Sequence, residues 1–95
     1  MTINKTAIPQ RNDSSIIEKI LDDEIILYSK SNHNIHNLNR TAAILWNLCD
    51  GKMTINEMIN YLLKNFKGSK QVIEHDVMKT LKEMGKVNLI TFKEI

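Results

Sequence analysis

Cysteine, proline and glycine are scarce in this 95-residue chain, which contains one Cys, one Pro and three Gly. The lone Cys49 excludes an intrachain disulfide and a metal site built from several cysteines. Because no segment is rich in glycine, a phosphate-binding loop is excluded as well. No apolar run is long enough to span a membrane or to resemble a signal peptide, so we expect a cytoplasmic protein without membrane contact.

A large excess of charge of either sign is also missing. The 13 basic and 11 acidic residues leave a formal charge of +2, which is too balanced to require a nucleic acid or an anionic membrane as a partner. An apolar fraction of 42% over this length supports one buried core. We therefore expect one folded domain at residues 16–95. Residues 1–15, which have few large apolar side chains, are expected to form a flexible tail.

β-Branched and aromatic residues dominate two neighbouring segments, Ile16–Leu21 and Glu24–Ser29. An Asp-Asp pair between them favours a tight turn, so the two segments are predicted to form a hairpin. A second turn leads to a predicted third strand at residues 34–38, with Ile35 and Leu38 as its apolar anchors.

The hydrophobic period becomes helical at Asn39, which is a favourable N-cap. Apolar residues then recur at helical spacing, at Ala42, Leu45, Trp46 and Cys49. The Asp-Gly pair at residues 50–51 is predicted to end this first helix, and Trp46 is expected to pack in the core.

Two more helices are predicted after the first. Thr54 and Glu57 form a capping box for the second helix, and a Lys-Gly-Ser sequence at residues 67–69 separates it from the third, which is predicted to end at Gly85. Residues 87–95 alternate in a way that fits either a short strand or an extended tail on the helices. Three strands followed by three helices indicate an α+β fold, in which the second and third helices look like a helix-turn-helix.

Two runs of this sequence, LNRTAAILWNLCDGKMTINEMINYLLKNF and DVMKTLKEMGKVNLI, resemble the coenzyme PQQ synthesis protein D family. The matching features lie within residues 24–90 and are Leu38-Asn39, Thr41-Ala42, Leu45-Trp46, Asp50-Gly51, Thr54, Glu57, Asp76-Val77 and Leu81. The resemblance implies a winged helix-turn-helix with three N-terminal strands before three helices. It also implies a protein that is not an enzyme and needs no cofactor. PqqD-like proteins, also described as RiPP precursor peptide recognition elements, bind the leader of a ribosomally made precursor peptide and present it to a modifying enzyme, commonly a radical SAM protein.

Strand addition is the mode of leader binding that we expect from this resemblance and from the predicted sheet edge. The leader would pair with the third strand, and its side chains would enter a groove between that strand and the third helix. The expected peptide-binding residues are Asn34, Ile35, His36, Asn37, Leu38, Lys70, Ile73, Glu74, Val77 and Leu81. The oligomeric state stays open between monomer and homodimer, because an open strand can also pair with a second copy.

DNA binding by the helix-turn-helix is the alternative function, and it would use the lysines of the third helix. Acidic residues on the same helix weigh against contact with phosphates, so no nucleic-acid partner is expected. An enzyme is not expected either, because no base is evident beside Cys49 to activate it as a nucleophile. His33 and His36 lie on opposite faces of a turn and strand segment, and therefore do not predict a metal site.

Overall fold

The computed structural model describes residues 3–94, within which the chain forms five strands and three helices. In chain order these are β1 (Ile8–Arg11), β2 (Ile16–Leu21), β3 (Glu24–Ser29), β4 (Ile35–Leu38), α1 (Arg40–Leu48), α2 (Ile55–Asn65), α3 (Lys70–Lys86) and β5 (Ile90–Lys93). A short 3₁₀ helix at Asp13–Ser15 links β1 to β2. The α+β class is confirmed. Instead of the three N-terminal strands expected, four strands precede the helices and a fifth follows them in these residues.

Strands β2, β3 and β4 form an antiparallel sheet with β3 in the centre. The β2–β3 hairpin has the bounds predicted from the sequence, and Asp22 adopts a φ of 54° in its turn, a conformation that Asp tolerates better than most residues. Ile25 and Leu27 of β3 belong to the buried core. The register places Leu38 opposite Ile25 and His36 opposite Leu27, so these two β4 side chains also face the helices.

The N-terminal segment is packed against the domain. Strand β1 pairs antiparallel with β5, from Ile8 opposite Lys93 to Arg11 opposite Ile90, and Ala7 is completely buried. The prediction of a flexible tail is therefore wrong for residues 3–11. The strand that pairs with them lies at the other end of the chain, so the composition of residues 3–11 alone gives no sign of this pairing. Residues 1 and 2 of the predicted tail, and residue 95 of the C-terminal segment, lie outside the described residues.

Each helix begins at a side-chain cap, which satisfies an otherwise unpaired main-chain amide. Asn39 Oδ1 accepts a hydrogen bond from the Ala42 N–H at 2.8 Å, and Ser69 caps α3 in the same way. At α2 the Glu57 N–H donates to Thr54 Oγ1 at 3.1 Å, while the Thr54 N–H donates to Glu57 Oε1 at 2.9 Å. The capping box predicted from the sequence is thus confirmed.

Two glycines lie near the ends of helices but have different roles. After α1, Gly51 takes a φ of +80° and allows the chain to reverse. Helix α3 continues to Lys86, one residue beyond Gly85, so Gly85 is not the helix stop that the sequence predicted. A Cβ on Gly85 would lie 2.8 Å from Cε2 of Phe92. The absence of a side chain at Gly85 therefore lets β5 pack closely on α3.

Trp46 anchors the core, as its position in the sequence predicted. It is 1% exposed, and its Nε1 donates a hydrogen bond to Glu18 Oε1 at 2.9 Å. The Arg11 guanidinium lies 5.9 Å from the centre of the indole ring, within the range of a cation–π contact. Burial raises the pKa of the neighbouring Cys49 thiol to about 12, so this cysteine is a protonated core residue at neutral pH. No helix in residues 3–94 combines the length and the apolar character needed to cross a membrane.

Candidate functional site

Strand β4 is an open edge of the three-stranded sheet, because within residues 3–94 it pairs with β3 alone. The Ser29 N–H donates to the Asn34 carbonyl at 2.9 Å. Along an antiparallel ladder, residue pairs that are hydrogen-bonded alternate with pairs that are not. Every second residue after Asn34, beginning with His36, therefore bonds to β3. The N–H and C=O groups of Ile35 and Asn37 point the other way, toward the open edge.

The opposite edge of the sheet, formed by β2, differs in carrying charged side chains. The Lys30 N–H donates to the Ser15 carbonyl at 2.9 Å, so by the same alternation the main chain of Glu18 and Ile20 points outward from β2. Strand β2 carries Glu18 and Lys19, whereas no residue of β4 is formally charged. Charged side chains on an edge strand discourage pairing with a further strand. Strand β4 is therefore the edge better suited to accept one.

A groove of about 410 Å³ lies between β4 and the C-terminal half of α3. Strand β4 forms one wall, and the helix wall consists of Thr80, Glu83, Met84 and Val87. These residues recur at helical spacing and so form one stripe along α3 that continues to its C-cap, Val87. The lining of the groove is polar and apolar in about equal parts, so it can contact an apolar guest side chain and also hydrogen-bond to polar groups of a guest.

His36 lines this groove, and its Nε2 is buried without a hydrogen-bond partner among the described residues. A buried polar atom left unpaired costs about 1–3 kcal/mol of stability. Ile35, the first residue of the same strand, is 69% exposed, which is a further local cost for a large apolar side chain. Strand β4 thus departs from what stability alone favours, and such departures occur at binding surfaces.

Most of the β4 residues predicted for the site come together at the groove, namely residues 35–38. Asn34 lies one residue before the strand begins. Val77 and Leu81 are 1% and 0% exposed, so they face the interior of the domain and do not line the groove beside β4. Their expected placement on the groove is corrected, because this apolar stripe of α3 packs inside the domain.

The other residues predicted on α3 lie apart from the groove. Ile73 lines a separate cavity near the start of the helix. Glu74 forms an ion pair with Lys5, and Lys70 is exposed at the first position of α3. The structure therefore gathers four of the five predicted strand residues, 35–38, at the groove but none of the predicted helix residues.

Sequence reasoning did not select the helix wall that the structure reveals. Its position is offset from the core residues of α3, since Thr80 follows the buried Val77 by three positions, whereas Met84 is itself 4% exposed and belongs to the core. Residues three apart on a helix are neighbours on its surface. Apart from Met84, the wall thus lies beside the core stripe, and it contains the polar residues Thr80 and Glu83, which a search for apolar periodicity passes over.

An open antiparallel edge beside a partly apolar groove, on a sheet packed against helices, is the geometry of proteins that capture an extended peptide by strand addition. The sequence profile of the family described as coenzyme PQQ synthesis protein D (PqqD) matches residues 24–90. The chain belongs to this family. No curated protein sequence matches it.

Two solved structures share the fold. One is described as TbiB1 in complex with the TbiA(beta) leader peptide, with a TM-score of 0.75 and 16% sequence identity, over 85% of this chain and 93% of that chain. The other is described as lasso peptide synthetase B1 complexed with the leader peptide, with a TM-score of 0.74 and 18% identity, over 88% of this chain and 98% of that chain. At these identities the likeness establishes a common fold.

Proposed function

We propose that this protein binds the leader segment of a ribosomally synthesised precursor peptide by strand addition along β4 and presents the peptide to a modifying enzyme. The observation that carries the proposal is the open β4 edge beside the groove. Membership of the PqqD family supports it, as does the fold shared with two proteins whose structures are described as leader-peptide complexes.

The mechanism follows from the two parts of the site. Main-chain groups of Ile35 and Asn37 would hydrogen-bond to the guest strand, each bond contributing about 0.5–1.5 kcal/mol. These bonds fix the register but do not depend on sequence. Alternate guest side chains would point into the groove, where contacts with Thr80 and Val87 provide the preference for particular leaders. Because ordering a disordered leader costs about 2–5 kcal/mol, both parts are needed for useful affinity.

The proposal extends to the wider role of the protein. We propose a non-catalytic, cytoplasmic protein that acts as a monomer or homodimer, with α2, α3 and the sheet arranged as a winged helix-turn-helix. The resemblance to the PqqD family implies a radical SAM protein as the modifying enzyme, whereas one structural neighbour is described as lasso peptide synthetase B1. Co-purification of the tagged protein with each class of enzyme encoded near its gene would distinguish the two pathways.

The direct test is an NMR titration of the ¹⁵N-labelled protein with candidate leaders encoded by short reading frames near its gene. We expect the largest amide shifts at Ile35, Asn37, Thr80 and Val87. As an internal control, amides of the β2 edge should stay unchanged. Saturable binding that shifts only α2 or the β2 edge would refute strand addition along β4.

A further inference from the structure

A second cavity, about 170 Å³ in volume, lies where all three helices meet, near the N-terminal end of α3. Its apolar lining consists of Ile44, Leu62, Phe66, Ile73 and Val77. An apolar cavity of ~150 Å³ is large enough to hold benzene. The cavity therefore has room for one large apolar side chain. Its remaining lining residues are Arg40, Thr41 and Asp76, all of which are exposed.

A polar surface connects this cavity to the groove beside β4. Asn39, Thr80 and Glu83 line both the groove and the connecting surface. Thr41 and Asp76 line both the connecting surface and the cavity. A peptide that leaves β4 at its Leu38 end would thus cross hydroxyl, amide and charged groups that can hydrogen-bond to its main chain, and would then reach the cavity.

The separation of the two sites suits one continuous peptide. On α3, the residues that line the groove are centred about eight positions after the residues that line the cavity. At the helical rise of 1.5 Å per residue, this separation is about 12 Å. An extended peptide rises about 3.3 Å per residue and covers this distance in about four residues.

We propose that the cavity is a second subsite for the same leader peptide, occupied by one large apolar side chain, such as Leu, Ile, Met or Phe, about four residues beyond the strand-paired segment. This inference rests on the proposed function, because pairing with β4 is what brings the peptide to the cavity. Continuity with the groove identifies the occupant, and the apolar lining identifies the class of side chain.

The test uses a peptide selected for binding to the full chain from a random 20-residue display library. Its contacts are mapped by NMR on protein labelled at its amides and at its Ile, Leu and Val methyl groups. Thr41→Trp is designed to close the mouth of the cavity, and Val72→Trp is the matched control, because Val72 is 57% exposed and lies outside the cavity lining. An alanine scan of the peptide tests the same contact without altering the protein.

We expect the peptide to shift the amides of Ile35 and Asn37 together with the methyl groups of Ile44 and Ile73. Loss of the contact made by one buried apolar side chain should raise the Kd of the peptide by about 10- to 100-fold. That loss is expected for Thr41→Trp and for alanine at one apolar peptide position, whereas Val72→Trp should bind normally.

Two results would overturn the inference in distinguishable ways. Shifts on β4, combined with unchanged cavity methyl groups and normal binding to Thr41→Trp, would leave strand addition standing and assign the cavity to another occupant. Selected peptides that bind without shifting β4 would refute the proposed function and the second subsite together.

Discussion

Substituting proline for Asn37 provides a sharp test of strand addition, because it removes a main-chain donor at the open edge of β4. Proline has no N–H and is tolerated on an edge strand where that group faces solvent. The matched control is Ile20→Pro, which removes the corresponding outward donor from β2, the opposite edge of the same sheet. Both substitutions leave the hydrogen bonds to the central strand β3 in place.

The expected effect on binding follows from the guest's main chain. In Asn37→Pro a guest carbonyl loses its donor and remains desolvated against the proline ring, which costs about 1–3 kcal/mol. At about 1.4 kcal/mol per tenfold change, the Kd should rise by roughly 5- to 150-fold. Ile20→Pro should leave Kd unchanged, because no guest contacts β2. Asn37→Ala, which keeps the N–H, separates the main-chain effect from loss of the amide side chain.

Isothermal titration calorimetry with one leader peptide against all three variants measures these changes, and thermal unfolding confirms that each variant is folded. Equal loss of affinity in Asn37→Pro and Asn37→Ala would show that the side chain, not the main chain, carries the contact. Weakened binding in Ile20→Pro alone would place the peptide on β2 and refute the assignment of the β4 edge.

Three further predictions concern stability. Glu18→Ala leaves the buried indole N–H of Trp46 without its acceptor, so the free energy of unfolding in urea should fall by about 1–3 kcal/mol. Lys19→Ala on the same strand is the control and should change this free energy by less than about 0.5 kcal/mol. Equal effects of the two substitutions would show that the hydrogen bond is unimportant. Burial raises the pKa of Cys49 from 9.0 to about 12, so as pH rises the thiol ionises in the unfolded chain before it ionises in the folded one. The free energy of unfolding should therefore fall between pH 9 and pH 12. The fall should be steeper than in Cys49→Ala by up to about 1.4 kcal/mol per pH unit. Parallel pH curves for the two proteins would contradict this assignment. Thr54→Ala removes the capping box of α2 and should lower the unfolding free energy by about 0.5–2 kcal/mol, and an unchanged urea midpoint would show that the cap contributes nothing.

Local signals predicted the hairpin and the helix starts well. The bounds of β2 and β3 follow from β-branched residues around an Asp-Asp turn, and the caps at Asn39 and Thr54 depend on groups only three residues apart. Pairing of β1 with β5 was not predictable in this way, because Ile8 and Lys93 are neighbours only after the rest of the domain has folded. The role of Gly85 was misjudged for the same reason, since Phe92 approaches it from a different element.

The candidate site likewise has one part that was predictable from the sequence and one part that was not. A weakly apolar strand without formal charge at residues 35–38 was visible in the sequence, and so was the likeness to the PqqD family. The face of α3 that lies beside this strand depends on how the helix is rotated in the packed domain. The apolar stripe containing Val77 and Leu81 turns inward to exclude water, which leaves the neighbouring stripe with Thr80 and Val87 to line the groove. The sequence by itself determined the β2–β3 hairpin, the strand that follows it and the three helices, because these depend on contacts between near neighbours. Only tertiary packing decided the helix wall and the second cavity, because both arise where elements distant in sequence meet.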